Sequence, residues 1–180
     1  YPYINQELIQ AYRLYTLALA KKPEIGAMNK LKEQQLGLAA KMRLAAAYAL
    51  IGQQETAQSI VENVPITLNY YRELSYTYGS TNRDKGIILE TMLLLKQDSK
   101  AYPLAIELSK ALSGNSWMST QETAVALMAL SKMSIEKGKG DNVKVKYTLG
   151  GDSKSLSSEK PVLRDQLKIN DGENSMDISN

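Results

Sequence analysis

The stretch Ser113–Met133, SGNSWMSTQETAVALMALSKM, passes from a polar loop directly into a segment that is apolar on nearly every face of a helix. Ser119, followed three residues later by Glu122, is the pattern of a capping box, in which two side chains satisfy free amides at a helix start. A helix that is apolar all round is buried on all sides. The stretch therefore predicts a helix over 119–137 that enters a hydrophobic core. Its predicted core residues are Ala124, Val125, Leu127, Met128, Ala129 and Leu130.

Residues 80–95, STNRDKGIILETMLLL, show the same design upstream. Thr81 and Asp84 have capping spacing, and a nearly all-apolar helix is predicted over 83–97. Residues 92–95 are expected in the core. Glu90 lies among these apolar residues, where an unpaired carboxylate would be costly to bury. We therefore expect its side chain to point outward or to a seam between helices.

The rest of the first part of the chain also reads as helices, seven in all. They are predicted over 5–21, 25–34, 37–51, 54–63, 83–97, 101–113 and 119–137. The helices over 54–63 and 101–113 carry one apolar stripe, whereas their long neighbours are apolar on most faces. Inner helices that alternate with outer helices carrying one apolar stripe predict helical hairpins arranged around a common centre. The predicted fold is mainly α, a partial α/α toroid of helical hairpins followed by a short β-rich C-terminal segment.

The pattern changes after residue 137. Residues 142–151, NVKVKYTLGG, alternate apolar and polar side chains, which predicts a half-buried strand. Residues 152–160 are predicted to be a flexible loop, and 162–180 to be two strands around a turn at Asp171–Gly172. We therefore divide the chain into a helical region, 1–138, and a β segment, 139–180.

Composition excludes several classes of function. The chain has 180 residues, 43% of them hydrophobic, but no Cys and no His. Ser-His-Asp catalysis, Cys nucleophiles and zinc or haem ligation by His or Cys are thereby excluded within it. The net charge of +3 comes from scattered lysines, which does not favour nucleic-acid binding. We expect no enzymatic activity, no cofactor and no metal.

Two further expectations concern the context of the chain. No apolar run reaches the roughly 18 residues that a membrane-spanning helix needs, so we expect no direct membrane insertion by this segment. The first residues, YPYINQEL, contain neither an initiator methionine nor a signal peptide. We therefore expect the chain to be a fragment of a longer protein.

Two motifs carry a family resemblance. The segment Trp117–Leu130, W-x-S-T-Q-E-T-A-V-A-L-x-A-L, resembles the region near the end of the thioester domain in the α2-macroglobulin and complement family. The segment over 78–89, Y-x-S-T-x-R-D-K-x-I-I-L, is similar to the preceding inner helix in bacterial members. The resemblance covers residues 1–150 best. Beyond them, the β segment would match the return into a neighbouring β-sandwich (CUB-like) domain.

The resemblance implies a function that composition cannot give. Members of this family are large, exported proteins that trap proteases, and some tether them through an internal Cys–Gln thioester. It implies a non-catalytic part of a bacterial protease-trapping inhibitor, in the periplasm or cell envelope. Its partners would be proteases, met through the full-length protein, and neighbouring β-sandwich domains of the same chain. Because the chain has no Cys, no thioester residue can be placed on it.

Five residues are candidates for an interdomain or pocket face: Arg83, Asp84, Trp117, Thr120 and Gln121. For Trp117 the favoured interpretation is a core anchor between helices, since Trp is usually buried. For Thr120 and Gln121 it is simply a helix start. The Tyr-rich stretch over 68–79 could bind sugar or peptide. We favour rings that pack over helix ends with wet hydroxyls.

Two other functions remain open. A tetratricopeptide-like peptide-binding array is suggested by Ala47 and Tyr48, followed by Gly52 and Ala57, but only one unit shows this spacing and an array needs about three repeats. An α/α-toroid carbohydrate-active hydrolase would need two inward carboxylates. Asp84 and Glu122, both near inner-helix starts, are the candidates for that pair.

Overall fold

The computed structural model describes residues 6–74, 77–137, 143–158, 165–167, 169 and 175–179. These residues are mainly helical, with a small antiparallel sheet near the C-terminus, which confirms the predicted fold class in this respect. The chain divides into two compact units, Tyr1–Ser131 and Lys132–Asn180. No helix of the described residues is long and apolar enough to cross a membrane.

Each predicted helix is present, and differences are confined to helix ends. The helices are α1 (Gln6–Leu19), α2 (Ile25–Lys32), α3 (Leu38–Leu50), α4 (Gln54–Val61), α5 (Thr81–Leu94), α6 (Asp98–Ser113) and α7 (Thr120–Lys137). Gly52, predicted to cap α3, has φ +85°, and its N–H donates to the carbonyl of Ala49 at 3.1 Å. The left-handed backbone there ends the helix in the way that favours glycine.

Three long helices of the first unit form a row, in which α1 packs on α3 and α3 packs on α5. Both α3 and α5 are buried along nearly their whole length, as predicted for inner helices. The striped helices cover this row: α4 packs on α3, and α6 packs on α5. The residues that these two helices bury are Ala57 and Val61 of α4, and Ala101, Leu104, Ala105 and Leu108 of α6.

Helix α7 approaches α5 at a glycine. A Cβ atom added to Gly86 would lie 2.7 Å from Cγ1 of Val125 and 3.2 Å from its carbonyl oxygen. The backbones of α5 and α7 can come this close only because Gly86 has no side chain.

Helix α1, at one end of the row, and helix α7, which lies against α5 at the other end, are buried on one side only. In α7, Glu122, Ala126 and Ala129 are buried, whereas Ala124, Leu127 and Met128 are exposed. The prediction that these last three residues enter the core is wrong, because the face of α7 opposite α5 is uncovered by the described residues. Helix α1 is similarly one-sided. Its exposed apolar residues are Ile9, Tyr12 and Leu19.

Glu90 is buried inside the row, so of its two predicted positions, outward or at a seam between helices, the seam is the one found. Its carboxylate pairs with Arg43 of α3 and accepts a hydrogen bond from the Tyr15 hydroxyl of α1. The guanidinium carbon of Arg43 lies 4.3 Å from the centre of the Tyr15 ring. The carboxylate lies at the seam of three helices, where a cation and a hydroxyl offset the cost of its burial.

The second unit contains a three-stranded antiparallel sheet with the order β2-β1-β3. Its strands are β1 (Val143–Leu149), β2 (Asp152–Ser158) and β3 (Met176–Ser179). Gly150 and Gly151, with φ of +58° and +92°, make the two-residue turn between β1 and β2. Val145 pairs with Leu156, and Tyr147 pairs with Ile178, so apolar side chains of all three strands share one face.

Two predictions for this unit are corrected. The flexible loop predicted over 152–160 is wrong, because the double-glycine turn folds residues 152–158 back onto β1 as β2. The Ser-rich sequence of β2 has too few apolar residues to show a strand period. The strand predicted over 162–170 is absent at 165–167 and 169, the part of that range that the structure describes. The turn at Asp171–Gly172 lies outside the described residues, and the last predicted strand is confirmed as β3.

A candidate functional site at the helix starts

The start of α7 is a capping box, as predicted. The backbone N–H of Glu122 donates to the Ser119 hydroxyl at 3.2 Å, and the Ser119 N–H donates to the Glu122 carboxylate at 2.8 Å. Two amides that a helix start would otherwise leave free are thereby satisfied. Glu122 is buried, which is unusual for a capping carboxylate and indicates that other groups surround it.

The cap of α5 is one residue away from its predicted position. Ser80 is the N-cap, and its hydroxyl accepts from the Arg83 N–H at 3.1 Å. Thr81, predicted for this role, is already helical. Its hydroxyl donates to the Asn69 carbonyl at 2.9 Å and accepts from the Tyr71 N–H at 2.8 Å. Thr81 therefore fastens the preceding loop to the helix, a contact that capping spacing does not reveal.

Arg83 and Asp84 form a buried network with this loop. Nε and Nη2 of Arg83 donate to Oδ1 of Asp84 at 3.0 and 2.9 Å, and Nη1 donates to the Thr77 carbonyl at 3.1 Å. The Tyr71 hydroxyl donates to Oδ2 of Asp84 at 2.6 Å. Burial, followed by this hydrogen bond, raises the pKa of Tyr71. The phenol therefore stays protonated and continues to donate.

Glu122 joins the two helix starts. Beyond its own cap, its carboxylate lies 3.5 Å from Nδ2 of Asn82 and 3.7 Å from Nη2 of Arg72. Burial acts to raise the pKa of Glu122, but the Ser119 amide, the Ser80 hydroxyl and the Arg72 cation together outweigh burial, and the net pKa is lowered. The carboxylate is therefore held in its charged form between α5 and α7.

Gln121 and Trp117 bring the start of α7 onto the same loop. With its amide nitrogen directed at the loop, Gln121 donates to the carbonyls of Thr77 and Tyr78 at 2.7 and 2.9 Å. Trp117 is 61% exposed, so the prediction of a core anchor is wrong. The guanidinium carbon of Arg72 lies 5.1 Å from the centre of the Trp117 indole ring, and Nη2 of Arg72 donates to the backbone carbonyl of Trp117 at 3.0 Å. Trp117 packs against a charged side chain of the loop instead of a hydrophobic interior.

We name this arrangement the helix-start cluster: residues 69–74 and 77–84 together with residues 117–122. It contains all five predicted site residues, and Arg83 and Asp84 are in direct contact within it. Trp117 and Gln121 reach α5 through the loop, while Thr120 is exposed at the start of α7. Tyr71 was considered only as part of the Tyr-rich stretch over 68–79, and Arg72, Glu73 and Thr77 were not singled out, although the adjacent opposite charges at 72 and 73 are a signal that could have indicated them.

The Tyr-rich stretch behaves in two ways. The Tyr71 hydroxyl is bound inside the cluster, whereas Tyr70 and Tyr78 are exposed. The expected packing of rings over helix ends with wet hydroxyls is therefore wrong for Tyr71, because Asp84 provides it with a buried acceptor. Tyr76 lies outside the described residues.

The chemistry of the cluster favours structure over catalysis. Asp84 and Glu122, the carboxylates a hydrolase would need, are both buried and bound to arginine or helix amides. The lowered pKa of Glu122 is the opposite of the raised pKa that a general acid needs. Among the described residues, no group of three or more acidic side chains is placed to hold a metal ion.

Comparisons with known proteins give a consistent picture of the fold. No protein-family model matches the chain, and no curated protein sequence matches it. An Escherichia coli alpha-2-macroglobulin activated by porcine elastase matches 97% of the chain with a TM-score of 0.59 and 18% identity. The native conformation of E. coli alpha-2-macroglobulin matches 99% with a TM-score of 0.59 and 21% identity.

A Salmonella alpha-2-macroglobulin reacted with methylamine also matches 99% of the chain, with a TM-score of 0.58 and 18% identity. The chain spans 14% of the length of the first of these three solved chains and 11% of the other two. At this level of identity the likeness establishes the fold. The chain has the fold of one segment of the bacterial alpha-2-macroglobulins.

Proposed function

We propose that this chain is a non-catalytic part of a bacterial α2-macroglobulin-like protease-trapping inhibitor. The single observation that carries the proposal is the structural match to bacterial alpha-2-macroglobulins over nearly all of the chain. That match favours this function over a tetratricopeptide-like array, for which only one unit of the spacing is present. An exported location, in the periplasm or cell envelope, is part of the same proposal.

Within such a protein, the helical region 1–138 would be part of the α/α toroid of a thioester-type domain. The row of buried helices α1, α3 and α5, covered by α4 and α6, supports this. Exposed apolar residues on the end helices, Leu127 and Met128 of α7 and Ile9 of α1, are what an incomplete ring leaves at its two ends. Further helical hairpins of the same domain would cover them.

The β segment 139–180 would belong to a neighbouring β-sandwich domain. Val145, Tyr147, Leu156, Met176 and Ile178 line an apolar groove on one face of its sheet. In a sandwich, such a face packs on a second sheet. We further propose that Arg83, Asp84, Trp117, Thr120 and Gln121 mark an interdomain face of the helical region, because the loop they hold presents exposed aromatic side chains.

The test is protease shielding by the full-length protein that contains this chain. After incubation with trypsin or elastase, protease activity is measured on a large protein and on a small peptide substrate. A trap is expected to block cleavage of the large substrate and spare cleavage of the small one. Equal loss of both activities, or no loss of either, would overturn the proposal.

The absence of catalysis is tested on the chain itself. Incubation with generic glycoside, ester and peptide substrates is expected to give no turnover. Turnover that the substitution Asp84→Ala abolishes would show an active site at the helix starts and reject the non-catalytic assignment.

A further inference from the structure

Tyr78 has a strained backbone. Its φ is +49°, in the left-handed region, although the residue is a bulky aromatic. A residue with a Cβ atom disfavours this region by about five- to thirtyfold, whereas glycine adopts it freely. The Tyr78 ring is not buried in return, because 53% of the residue is exposed. Strain of this kind persists only where surrounding contacts hold it, so those contacts are the place to look for a function.

The neighbouring glycine does not relieve this strain. Gly79 is buried, and a Cβ atom added to it would lie 2.8 Å from Oε2 of Glu73 and 3.0 Å from Nη2 of Arg83. Position 79 therefore requires glycine for the close approach of these two side chains. Exchanging the two residues would relieve the backbone at position 78 but would place a side chain against Glu73. The left-handed conformation is consequently adopted by Tyr78.

The residues on either side of Tyr78 are held by the loop and by α5. The Gly79 N–H and the Thr77 hydroxyl both donate to Oε2 of Glu73, at 3.0 and 2.9 Å. Nη1 of Arg83 donates to the Thr77 carbonyl at 3.1 Å. These contacts fix both ends of the turn.

Tyr78 itself is held from α7. Gln121, in the first turn of that helix, donates to the carbonyls of Thr77 and Tyr78 at 2.7 and 2.9 Å. These carbonyls belong to the two peptide groups that flank the Cα atom of Tyr78, so a single amide restrains both of its backbone dihedrals. Gln121 is exposed, so water can replace its two hydrogen bonds at low cost.

We propose that Gln121 and residues 77–79 form a conformational latch, in which Tyr78 keeps its strained conformation only while the start of α7 is docked on the loop. When Gln121 withdraws, the strain favours rotation of the Tyr78–Gly79 peptide group, and this rotation releases the Gly79 N–H from Glu73. Such coupling is reciprocal, so a partner that binds the exposed Tyr78 ring in this conformation also stabilises the docking of α7. The latch goes beyond the proposed function and does not depend on protease trapping.

Amide exchange of Gly79, followed by NMR, measures the latch because its N–H moves with the Tyr78–Gly79 peptide group. Gln121→Met keeps the length of the side chain but removes both donors. It is expected to raise the exchange rate of Gly79, corrected for the intrinsic rate of each sequence, at least about fivefold. Thr120→Ala, at the exposed neighbouring position of α7, is the control and is expected to leave the rate unchanged. An unchanged rate in Gln121→Met overturns the proposal.

Two substitutions at Tyr78 then test the strain. In the Gln121→Met background, Tyr78→Gly is expected to give about five- to thirtyfold slower exchange of Gly79 than Tyr78→Ala, because only glycine adopts the left-handed region freely. Equal rates would show that position 78 stores no strain and would contradict the latch. If circular dichroism shows that Gln121→Met is unfolded, Gln121→Asn, whose amide is one methylene too short to reach both carbonyls, replaces it with the same expectations. The measurement needs no protease, so it can fail while shielding by the full-length protein succeeds, or the reverse.

Discussion

Arg43 of α3 and Glu90 of α5 form an ion pair at 2.5 Å, and only 1% and 9% of their side chains are exposed. Tyr15 of α1 donates to the second oxygen of the same carboxylate. Three consecutive helices of the row are therefore joined at one buried acid. Such a pair contributes little compared with a hydrophobic replacement, but removing one partner leaves a buried charge unpaired.

The first prediction follows from this asymmetry. Arg43→Leu is expected to lower the free energy of unfolding by about 3–5 kcal/mol, because Glu90 is left without its cation. The double variant Arg43→Leu/Glu90→Leu is expected to lose clearly less. Urea unfolding followed by circular dichroism measures these two variants and Glu90→Leu alone, and Arg13→Leu on the exposed side of α1 is the control. A double variant as unstable as the sum of its single variants would contradict the ion pair.

A pair of glycines tests the close approach of α5 and α7. Gly86→Ala is expected to destabilise the chain by about 1–3 kcal/mol, because the added methyl meets both the side chain and the backbone of Val125. Gly26→Ala in α2 meets nothing within 4 Å and is expected to be neutral or to stabilise by about 0.5–1 kcal/mol. Thermal unfolding of the two variants gives the comparison. Equal effects would show that α7 does not lie against Gly86.

The lowered pKa of Glu122 predicts that the free energy of unfolding depends on pH. Its pKa in the folded chain is lowered, so its charged form adds stability above the pKa of the unfolded chain, and this stability is lost as pH falls through the folded pKa. At neutral pH, Glu122→Gln is expected to cost about 0.3–2 kcal/mol, because glutamine can keep the cap but loses the negative charge beside Arg72 at the start of the helix. The difference from the unsubstituted chain should shrink as the pH is lowered from neutral through the ordinary pKa of glutamate and below it.

Denaturant unfolding at a series of pH values measures this effect. Glu55→Gln provides the control, since Glu55 lies in the first turn of α4 but is exposed. Its cost at neutral pH is expected to be smaller than that of Glu122→Gln. A Glu122→Gln cost that stays constant across the series would show that the charge of Glu122 does not contribute to the cluster.

The substitution Trp117→Ala tests whether the Trp117 ring is exposed or anchors the hydrophobic core. Because the ring is mostly in solvent, Trp117→Ala is expected to cost no more than about 1 kcal/mol, the size of a surface cation–π contact. Truncation of a buried aromatic, such as Tyr48→Ala, is expected to cost about 3–5 kcal/mol. Acrylamide should quench the fluorescence of Trp117 readily in the folded chain. Strong protection from the quencher would contradict the exposure.

Helix periodicity was sufficient to predict α1 to α7, because a buried helix must show apolar residues at helical spacing whatever its neighbours are. The same reasoning failed for α7 at Leu127 and Met128, because the sequence of one helix does not show how many neighbours cover it. For Glu90 it left the outward and seam positions both open, since the partners that permit its burial, Arg43 and Tyr15, lie 47 and 75 residues away.

The candidate site was predictable only where its contacts are local. Ser119 and Glu122 are three residues apart and were recognised from spacing alone. Arg72 stacks on Trp117 across 45 residues, and no pattern in the sequence connects them. Ser80 and Thr81 both carry a hydroxyl, so spacing alone did not show which of them caps α5. The Thr81 hydroxyl binds the Asn69 carbonyl of the preceding loop, and the Ser80 hydroxyl makes the cap.

The buried pair of Arg43 and Glu90 also bears on the order of folding during synthesis. A ribosome completes α1 to α4 before it reaches Glu90, and until then the cation of Arg43 has no acid to meet in the interior. We therefore expect that the early helices do not reach their final packing around Arg43 at that stage. The first half of the helical unit is then expected to complete its folding only after α5 has emerged from the ribosome.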